Sequence, residues 1–259
     1  MYACDYLERG FLNVLRGNTF AAPSKCYLGL YINDPGETGT AGIEVSYPGY
    51  TRMEITFSEP AAANGGIGIQ SLSDIRFPAP ETAAGTAAYL GILDSLSGGN
   101  MLARNELTEP LVIGTNQPPV LLAGDITLYF PGNLSTAYKT RLLNLFRGQS
   151  LAGITPHMSL WSGNPENAGA ELSGDNYARA PITFSGPSEQ ENGQLLAANT
   201  SPVTFNRPST AWGTCSWTAI YSAASGGQPV YVQRLPEPVE VKRSYMPTYD
   251  TGKLQVGIN

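Results

Sequence analysis

The feature that most constrains this sequence is a strand–turn–strand pattern that occurs twice, 128 residues apart. In the first occurrence an apolar run rises to Leu93, a turn built from Asp, Ser and two Gly follows, and a second apolar run begins at Met101. The same order returns over residues 217–232, with Gly226-Gly227 in the turn. Both stretches are typical of β-hairpins. A long fixed period predicts a duplicated building unit.

Other elements repeat in the same order, at offsets of 127–131 residues. Apolar residues at helical spacing predict a helix after Asp5, with Asp5 as its N-cap and Glu8 completing a capping box. A second helix is predicted after Ser135, which we expect to be its N-cap. Each helix ends at an Arg-Gly pair. The boundary between the copies is predicted at Pro131-Gly132-Asn133, the strongest turn signal in the chain.

Alternating apolar and polar residues predict half-buried strands over 50–57 and again over 177–184. Pro181 cannot donate to a strand ladder, so its strand is expected at a sheet edge. We therefore predict an all-β protein of two tandem homologous antiparallel β-sandwich domains, residues 1–131 and 132–259, each preceded by a short N-terminal α-helix. A single barrel over the whole chain is the alternative, which the mid-chain helix disfavours.

Composition argues against several classes of partner. The net charge is −6 and the pI about 4.8, which leaves no basic footprint for nucleic acid or for an anionic membrane. No apolar run approaches the ~20 residues of a membrane span. The N-terminal residues lack the pattern of a secretory signal, so we expect assembly without export, in the cytoplasm of the cell that makes the chain. Three cysteines at unrelated spacings predict buried apolar side chains rather than disulfides or a metal site.

No catalytic constellation stands out. His157 is the sole histidine, and any Ser–His–Asp or Cys–His site would need it. Glu44 and Glu171 recur between the copies, and loop hydrogen bonding is favoured over acid–base work. A calcium loop at 34–37 lacks the usual ligand spacing, so a plain turn is favoured there. The expectation is a non-enzyme without cofactor or metal.

Two further groups of residues are candidates for special roles. Arg52 and Arg179 recur after a tyrosine, and each is predicted to form a structural salt bridge or a carbonyl clamp. Tyr31, Trp161 and Trp212 are the candidate surface or interface residues, because exposed aromatic rings form oligomer contacts or stack on sugars. Packing inside the core or between the copies is nevertheless favoured over a surface role for these three rings.

The motifs recur in a fixed order that resembles a family of phage virion proteins described as tail-fibre or minor tail proteins. The first copy carries Asp-Pro at 34–35, Glu-Val-Ser at 44–46, Gly-Tyr-Thr-Arg at 49–52, Phe-Pro at 77–78 and Ser-Gly-Gly-Asn at 97–100. The second copy carries Asn-Pro at 164–165, Tyr-Ala-Arg at 177–179 and Ser-Gly-Gly-Gln at 225–228. The resemblance covers nearly the whole chain, one family unit in each half.

The resemblance implies a structural component of the virion, associated with the tail or its fibres and acting through protein–protein assembly. The implied partners are other virion proteins and copies of the same chain, with a host surface receptor as a further candidate. A capsid decoration or head-fibre protein is a close alternative. A receptor- or carbohydrate-binding module is another, with Trp161 or Trp212 as its candidate stacking residue, and a depolymerase is the third.

Overall fold

The structure is a computed structural model, and it describes residues 1–63, 66–191 and 193–258. Strands dominate, and two short helices stand at corresponding places in the two halves of the chain. We refer to residues 1–131 as the first half and to residues 132–259 as the second half. Within the described residues, neither helix combines the length and the apolarity that crossing a bilayer would require.

Among its described residues, the first half contains one helix and ten strands. These are β1 (Tyr2–Ala3), α1 (Asp5–Val14), β2 (Cys26–Tyr31), β3 (Met53–Ile55), β4 (Ala61–Ala63), β5 (Gly66–Gln70), β6 (Ile75–Arg76), β7 (Gly85–Leu93), β8 (Met101–Ile113), β9 (Val120–Leu121) and β10 (Thr127–Tyr129). The second half repeats this order with small changes in its shortest strands. It contains α2 (Thr136–Leu145), β11 (His157–Trp161), β12 (Ala180–Pro181), β13 (Ser188–Glu189), β14 (Leu195–Ala198), β15 (Val203–Thr204), β16 (Gly213–Tyr221), β17 (Pro229–Val241), β18 (Thr248–Tyr249) and β19 (Gln255–Val256).

The strands form separate antiparallel sheets, as expected of β-sandwiches. The largest sheet of the first half has the order β1-β8-β7-β2-β3, and its counterpart has the order β12-β11-β16-β17. Smaller sheets with the orders β10-β5-β4 and β13-β14-β19 accompany them. All the described pairings are antiparallel and lie within one half or the other, apart from one isolated bridge. The alternative of a single closed barrel is therefore wrong.

The two predicted hairpins are confirmed as the longest strand pairs, β7 with β8 and β16 with β17. In both turns the paired glycines have positive φ: 60° and 73° at Gly98 and Gly99, and 58° and 67° at Gly226 and Gly227. Glycine adopts this conformation without the steric cost of a Cβ atom. The turn chemistry that identified the hairpins in the sequence is therefore what the backbone needs.

The helix ends follow the predictions in part. Gly17 and Gly148 end the helices in the left-handed region, with φ of 87° and 83°. The Ser135 cap is confirmed, because its Oγ accepts a hydrogen bond from the Tyr138 N–H at 3.1 Å. The predicted Asp5 cap is wrong: Cys4 is the N-cap residue and makes no side-chain cap bond, so Asp5 already lies inside the first turn.

The alternating strand predicted over 50–57 is shorter than expected, because only Met53–Ile55 pairs with β2. Beyond it the chain leaves this sheet, and Phe57 bridges to Ser71 beside β5. In the second half, β12 pairs only with β11 and lies at the sheet edge. The edge position predicted from Pro181 is confirmed.

One hydrophobic core runs through both halves. Helix α1 packs on β8 of its own half and also on β14 of the second half. Helix α2 correspondingly packs on β17 and on β5 and β10 of the first half. The ring of Phe146, just after α2, meets Phe57 edge to face, with 6.0 Å between the ring centroids. Each half therefore closes its core with the helix of the other.

Candidate functional site

The three aromatic residues proposed for the surface are buried within the chain. Tyr31, Trp161 and Trp212 have exposed fractions of only 3%, 9% and 5%. Tyr31 and Trp161 lie on β2 and β11, inner strands of their sheets, and the faces carrying these rings are covered by other residues. Alternation along a strand predicts an open face only when nothing covers that face. The candidate surface role of these three rings is therefore corrected, and their burial agrees with the favoured packing role.

The two tryptophans instead have internal partners. The Trp161 ring stacks on Tyr221 with 5.8 Å between centroids, and its Nε1 donates to Ser159 Oγ at 2.8 Å. Trp212 Nε1 donates to the Asp175 carbonyl at 3.0 Å, and the ring meets Tyr177 edge to face at 5.1 Å. A buried indole N–H needs such a partner. Both rings thus act in packing and are not presented to a ligand.

The densest polar arrangement in the first half centres on Arg52. Its Nε and Nη2 donate to the two carboxylate oxygens of Glu44, at 2.9 and 2.8 Å. Its Nη1 donates to the carbonyls of Ser95 and Gly98 in the hairpin turn, at 2.9 and 2.6 Å. The Tyr50 hydroxyl accepts the Leu30 N–H at 2.9 Å and reaches Glu44 Oε1 at 3.3 Å. We call Glu44, Tyr50 and Arg52 the first clamp.

The second half repeats this arrangement in the same detail, and we call Glu171, Tyr177 and Arg179 the second clamp. Arg179 Nε and Nη2 donate to Glu171 at 2.9 and 2.7 Å, and Nη1 donates to the carbonyls of Ala223 and Gly226 at 3.2 and 2.7 Å. The guanidinium also lies over the Tyr221 ring, 3.7 Å from its centroid. The sequence left open a salt bridge or a carbonyl clamp, and each arginine forms both.

The electrostatics of the clamps favour support over chemistry. Hydrogen bonding to Glu44 raises the pKa of Arg52, outweighing the opposing effect of burial. Burial lowers the pKa of Arg179, but its hydrogen bonds to Glu171 and the charge of that residue more than offset this, so the net shift is upward. Burial likewise raises the pKa of Tyr50 and Tyr177 above the ordinary range. Each carboxylate is engaged by three fixed donors and holds the loop against the hairpin turn.

The remaining candidates for chemistry are also engaged within the fold. His157 begins β11, and its Nδ1 is 2.9 Å from the Thr155 carbonyl oxygen. Asp34 and Glu37 both bind Arg104, Asp34 at 2.9 Å, so this loop is an ion-paired turn. The three cysteines are buried and free. Among the described residues no group of three or more His, Cys, Asp or Glu side chains could hold a metal ion.

The contact between the two halves is formed by residues that the sequence does not single out for that role. Phe20 and Leu151, which hold corresponding positions after the two helices, form an antiparallel bridge with each other. Arg147, at the end of α2, forms an ion pair with Glu59 of the first half. Cys26 Sγ donates to the Phe146 carbonyl at 3.5 Å. We call this contact region the seam. Apart from Cys26, which begins β2, its residues sit in loops and helix ends, where local patterns carry no information about distant partners.

The comparisons with known proteins agree with the duplication. A family model described as "Podophage GP4 fiber I protein gp80" matches residues 2–129 and matches again over residues 133–257. No curated protein matches the chain. The two matches meet at the turn after β10 and together cover nearly all of the sequence. The chain therefore belongs to this family of phage fibre proteins, with one family unit in each half, and it is a structural component of a bacteriophage virion.

Proposed function

We propose that the chain is a fibre subunit associated with the phage tail, which acts by docking onto other proteins and not by catalysis. The observation that carries this proposal is the pair of clamps. In each half one arginine binds a loop glutamate: Arg52 binds Glu44 and Arg179 binds Glu171. Each arginine also donates to two carbonyls of the hairpin turn and so stiffens that turn. Because these polar groups are committed to holding loops and turns in place, we infer that they support a surface for docking and do not act on a substrate.

The charge distribution suggests which partners such surfaces take. The first half contains 6 basic and 13 acidic residues, whereas the second half contains 9 basic and 8 acidic residues. Their net charges are thus −7 and +1. Two units of one architecture but different charge present unlike surfaces to their neighbours, and complementary charge selects partners. We propose that the division at residues 131 and 132 separates these two docking units, and that the partners are other virion proteins and copies of the chain.

The alternatives differ in location or in exposed chemistry. A capsid decoration or head-fibre protein would use the same docking principle at another place on the particle. A carbohydrate-binding role depended on an exposed Trp161 or Trp212, and both rings are buried. No observation in the described residues now favours that role over assembly.

Immunogold labelling of intact particles with antibodies against the chain tests the proposal. Label on fibres at the tail is the expected result, together with recovery of the chain by mass spectrometry in a fibre fraction stripped from the particles. Label on the head shell would support the decoration alternative and overturn tail association. Absence of the chain from purified particles would overturn the structural role.

The non-catalytic part of the proposal needs its own assay. Purified chain is incubated with host surface polysaccharide, and reducing ends are measured over time. No turnover is expected. Turnover that disappears in Glu109→Ala, an exposed carboxylate outside the clamps, would show an enzyme instead.

A further inference from the structure

In the described part of the chain the seam contains two corresponding clefts, of which one is closed by ion pairs and the other is not. The first cleft, of about 240 Å³, lies between the end of α2 and β3. The second, of about 450 Å³, lies between the end of α1 and the residues around β12. Arg147 stands at the rim of the first and Arg16 at the rim of the second, each at the C-terminal end of its helix.

The two arginines are held alike on one side. Arg147 Nη1 donates to Asn144 Oδ1 at 2.6 Å, and Arg16 Nη1 donates to Asn13 Oδ1 at 2.8 Å. They differ on the other side. Arg147 also binds the carboxylate of Glu59 across the seam. Arg16 forms no ion pair among the described residues.

The reason for this difference lies at a single position. Residue 186 holds, in the second half, the place that Glu59 holds in the first, and it is glycine. A Cβ atom built on Gly186 would lie 4.0 Å from Arg16 Nη1, so a side chain there would face the guanidinium. The Lys25–Glu54 ion pair of the first cleft is also missing, because Pro156 and Pro181 occupy those places. The second cleft thus has a cation at its rim and no acidic residue in its lining.

In the first cleft the arginine is paired with a carboxylate of the same chain. We therefore expect Arg16 in the second cleft to bind a carboxylate supplied by another molecule. We propose that this carboxylate comes from a second copy of the chain, from the acidic arm formed by residues 105–113 of β8. The inference rests on the proposed function in assembly. It names both the cleft and the segment that meet.

The acidic arm fits this role by charge and by exposure. Glu106 and Glu109 are exposed, form no ion pair among the described residues, and have no Lys or Arg between them and the end of β8. Strand β1 pairs with β8 only at Ala103 and Arg104, so the outer edge of the arm has no strand beside it in the described part of the chain. The arm is therefore accessible to another chain through its carboxylates, whereas Pro110 and the charged side chains oppose pairing along the strand edge.

Each chain would then offer one open cleft and one acidic arm. A contact between two different surfaces is heterologous, and unless its rotation closes a ring it links copies head to tail. That geometry suits a fibre. Because the contact depends on exposed charges, added salt should weaken it.

Analytical ultracentrifugation of the full chain over a concentration series tests the proposal. Wild type should self-associate at low salt, and Arg16→Glu should weaken association by about tenfold or more. Gly186→Glu should have the same effect with the fold intact, because the new carboxylate would form an ion pair with Arg16 of the same chain. Gly186→Ala and Arg76→Glu are the controls, since neither supplies a carboxylate to the cleft, and both should associate like wild type.

A charge exchange tests the segment assigned to the cleft. Glu106→Lys/Glu109→Lys should be as defective as Arg16→Glu, and a mixture of these two variants should associate again. A wild type that stays monomeric, an Arg16→Glu variant that associates normally, or a mixture that does not recover would each overturn the proposal. Labelling of fibres on the particle does not depend on any of these results, so the proposed function is tested separately.

Discussion

Phe20 and Leu151 exchange two backbone hydrogen bonds: the Phe20 N–H donates to the Leu151 carbonyl at 2.8 Å, and the Leu151 N–H donates to the Phe20 carbonyl at 2.9 Å. These residues hold the same place in the two family units, 131 positions apart. Mutual pairing of corresponding residues is what an approximate two-fold axis between the halves requires. The crossed packing of α1 and α2 follows the same relationship. The two halves are thus related like the two subunits of an isologous dimer, but they belong to one continuous chain.

The seam should tolerate no added volume where the backbones meet. A Cβ atom on Gly153 would lie 2.0 Å from the Gly17 carbonyl oxygen, and this contact is with backbone, which no side-chain rotation relieves. Gly153→Ala is expected to lower the free energy of unfolding by about 1–3 kcal/mol, measured by urea denaturation. Gly186→Ala is the matched control, because its nearest neighbour atom is 4.0 Å away. Equal stability of both variants would contradict the close contact.

The two halves should unfold together. Each helix contributes to the core of both halves, so neither half can lose its packing alone. Calorimetry should show one transition in which the calorimetric and van't Hoff enthalpies agree. Leu142→Ala, which truncates a buried side chain of α2, should lower the temperature of that single transition. Two resolved transitions, with only one of them shifted by Leu142→Ala, would show independent domains.

Removing either clamp arginine should cost similar stability in the two halves. The Arg52 side chain is only 10% exposed, and its loss leaves the Glu44 carboxylate without its charged partner. Arg52→Ala is expected to destabilise the chain by about 2 kcal/mol, and Arg179→Ala by a similar amount. Lys25→Ala breaks an ion pair that is exposed on both sides, so it should change stability little and serves as the control. Equal changes in the free energy of unfolding for the Arg52 and Lys25 variants would contradict the supporting role of the clamp.

Burial of thiols should make stability depend on alkaline pH. Burial raises the pKa of Cys4 and of Cys26 from an ordinary value of 9.0 to about 12. Their contribution is complete below pH 9 and is lost as pH rises from 9 towards 12, because the unfolded thiols then release protons that the folded ones retain. Urea denaturation at increasing pH should show this fall. Tyrosines titrate in the same range, so the double variant Cys4→Ala/Cys26→Ala should keep a fall, but a smaller one.

The rate of thiol alkylation is an independent measure of the burial of the cysteines. At pH 8 the folded chain should react slowly with an alkylating reagent, and the chain in denaturant should react fast at all three cysteines. Rapid labelling of the folded chain would contradict the burial of Cys4 and Cys26.

The sequence predicted local structure well where the residue types demand it. The paired glycines of both hairpin turns, the Ser135 cap and the edge position of Pro181 each follow from a backbone requirement of that residue. The clamps follow the sequence in part: Arg52 and Arg179 are predicted to form a salt bridge or a carbonyl clamp, but the sequence does not identify Glu44 and Glu171 as their partners. These features depend on neighbours close in the chain or on intrinsic conformational limits.

The rest depended on contacts between distant segments. Tyr31 and Trp161 alternate with inward residues, but their faces are also covered, so periodicity alone gave a wrong prediction of exposure. The bridge from Phe20 to Leu151 and the ion pair from Arg147 to Glu59 join loops more than 80 residues apart, and no local pattern encodes them. The seam is therefore visible only in the structure.

The most direct measurement is a cryo-EM reconstruction of the fibre region of the intact virion. We expect fibre density that contains the chain as one body, with its two halves superposable and related by an approximate two-fold axis through the Phe20–Leu151 bridge. Density for the chain on the head shell, or two halves held apart by an extended segment around residue 132, would contradict it.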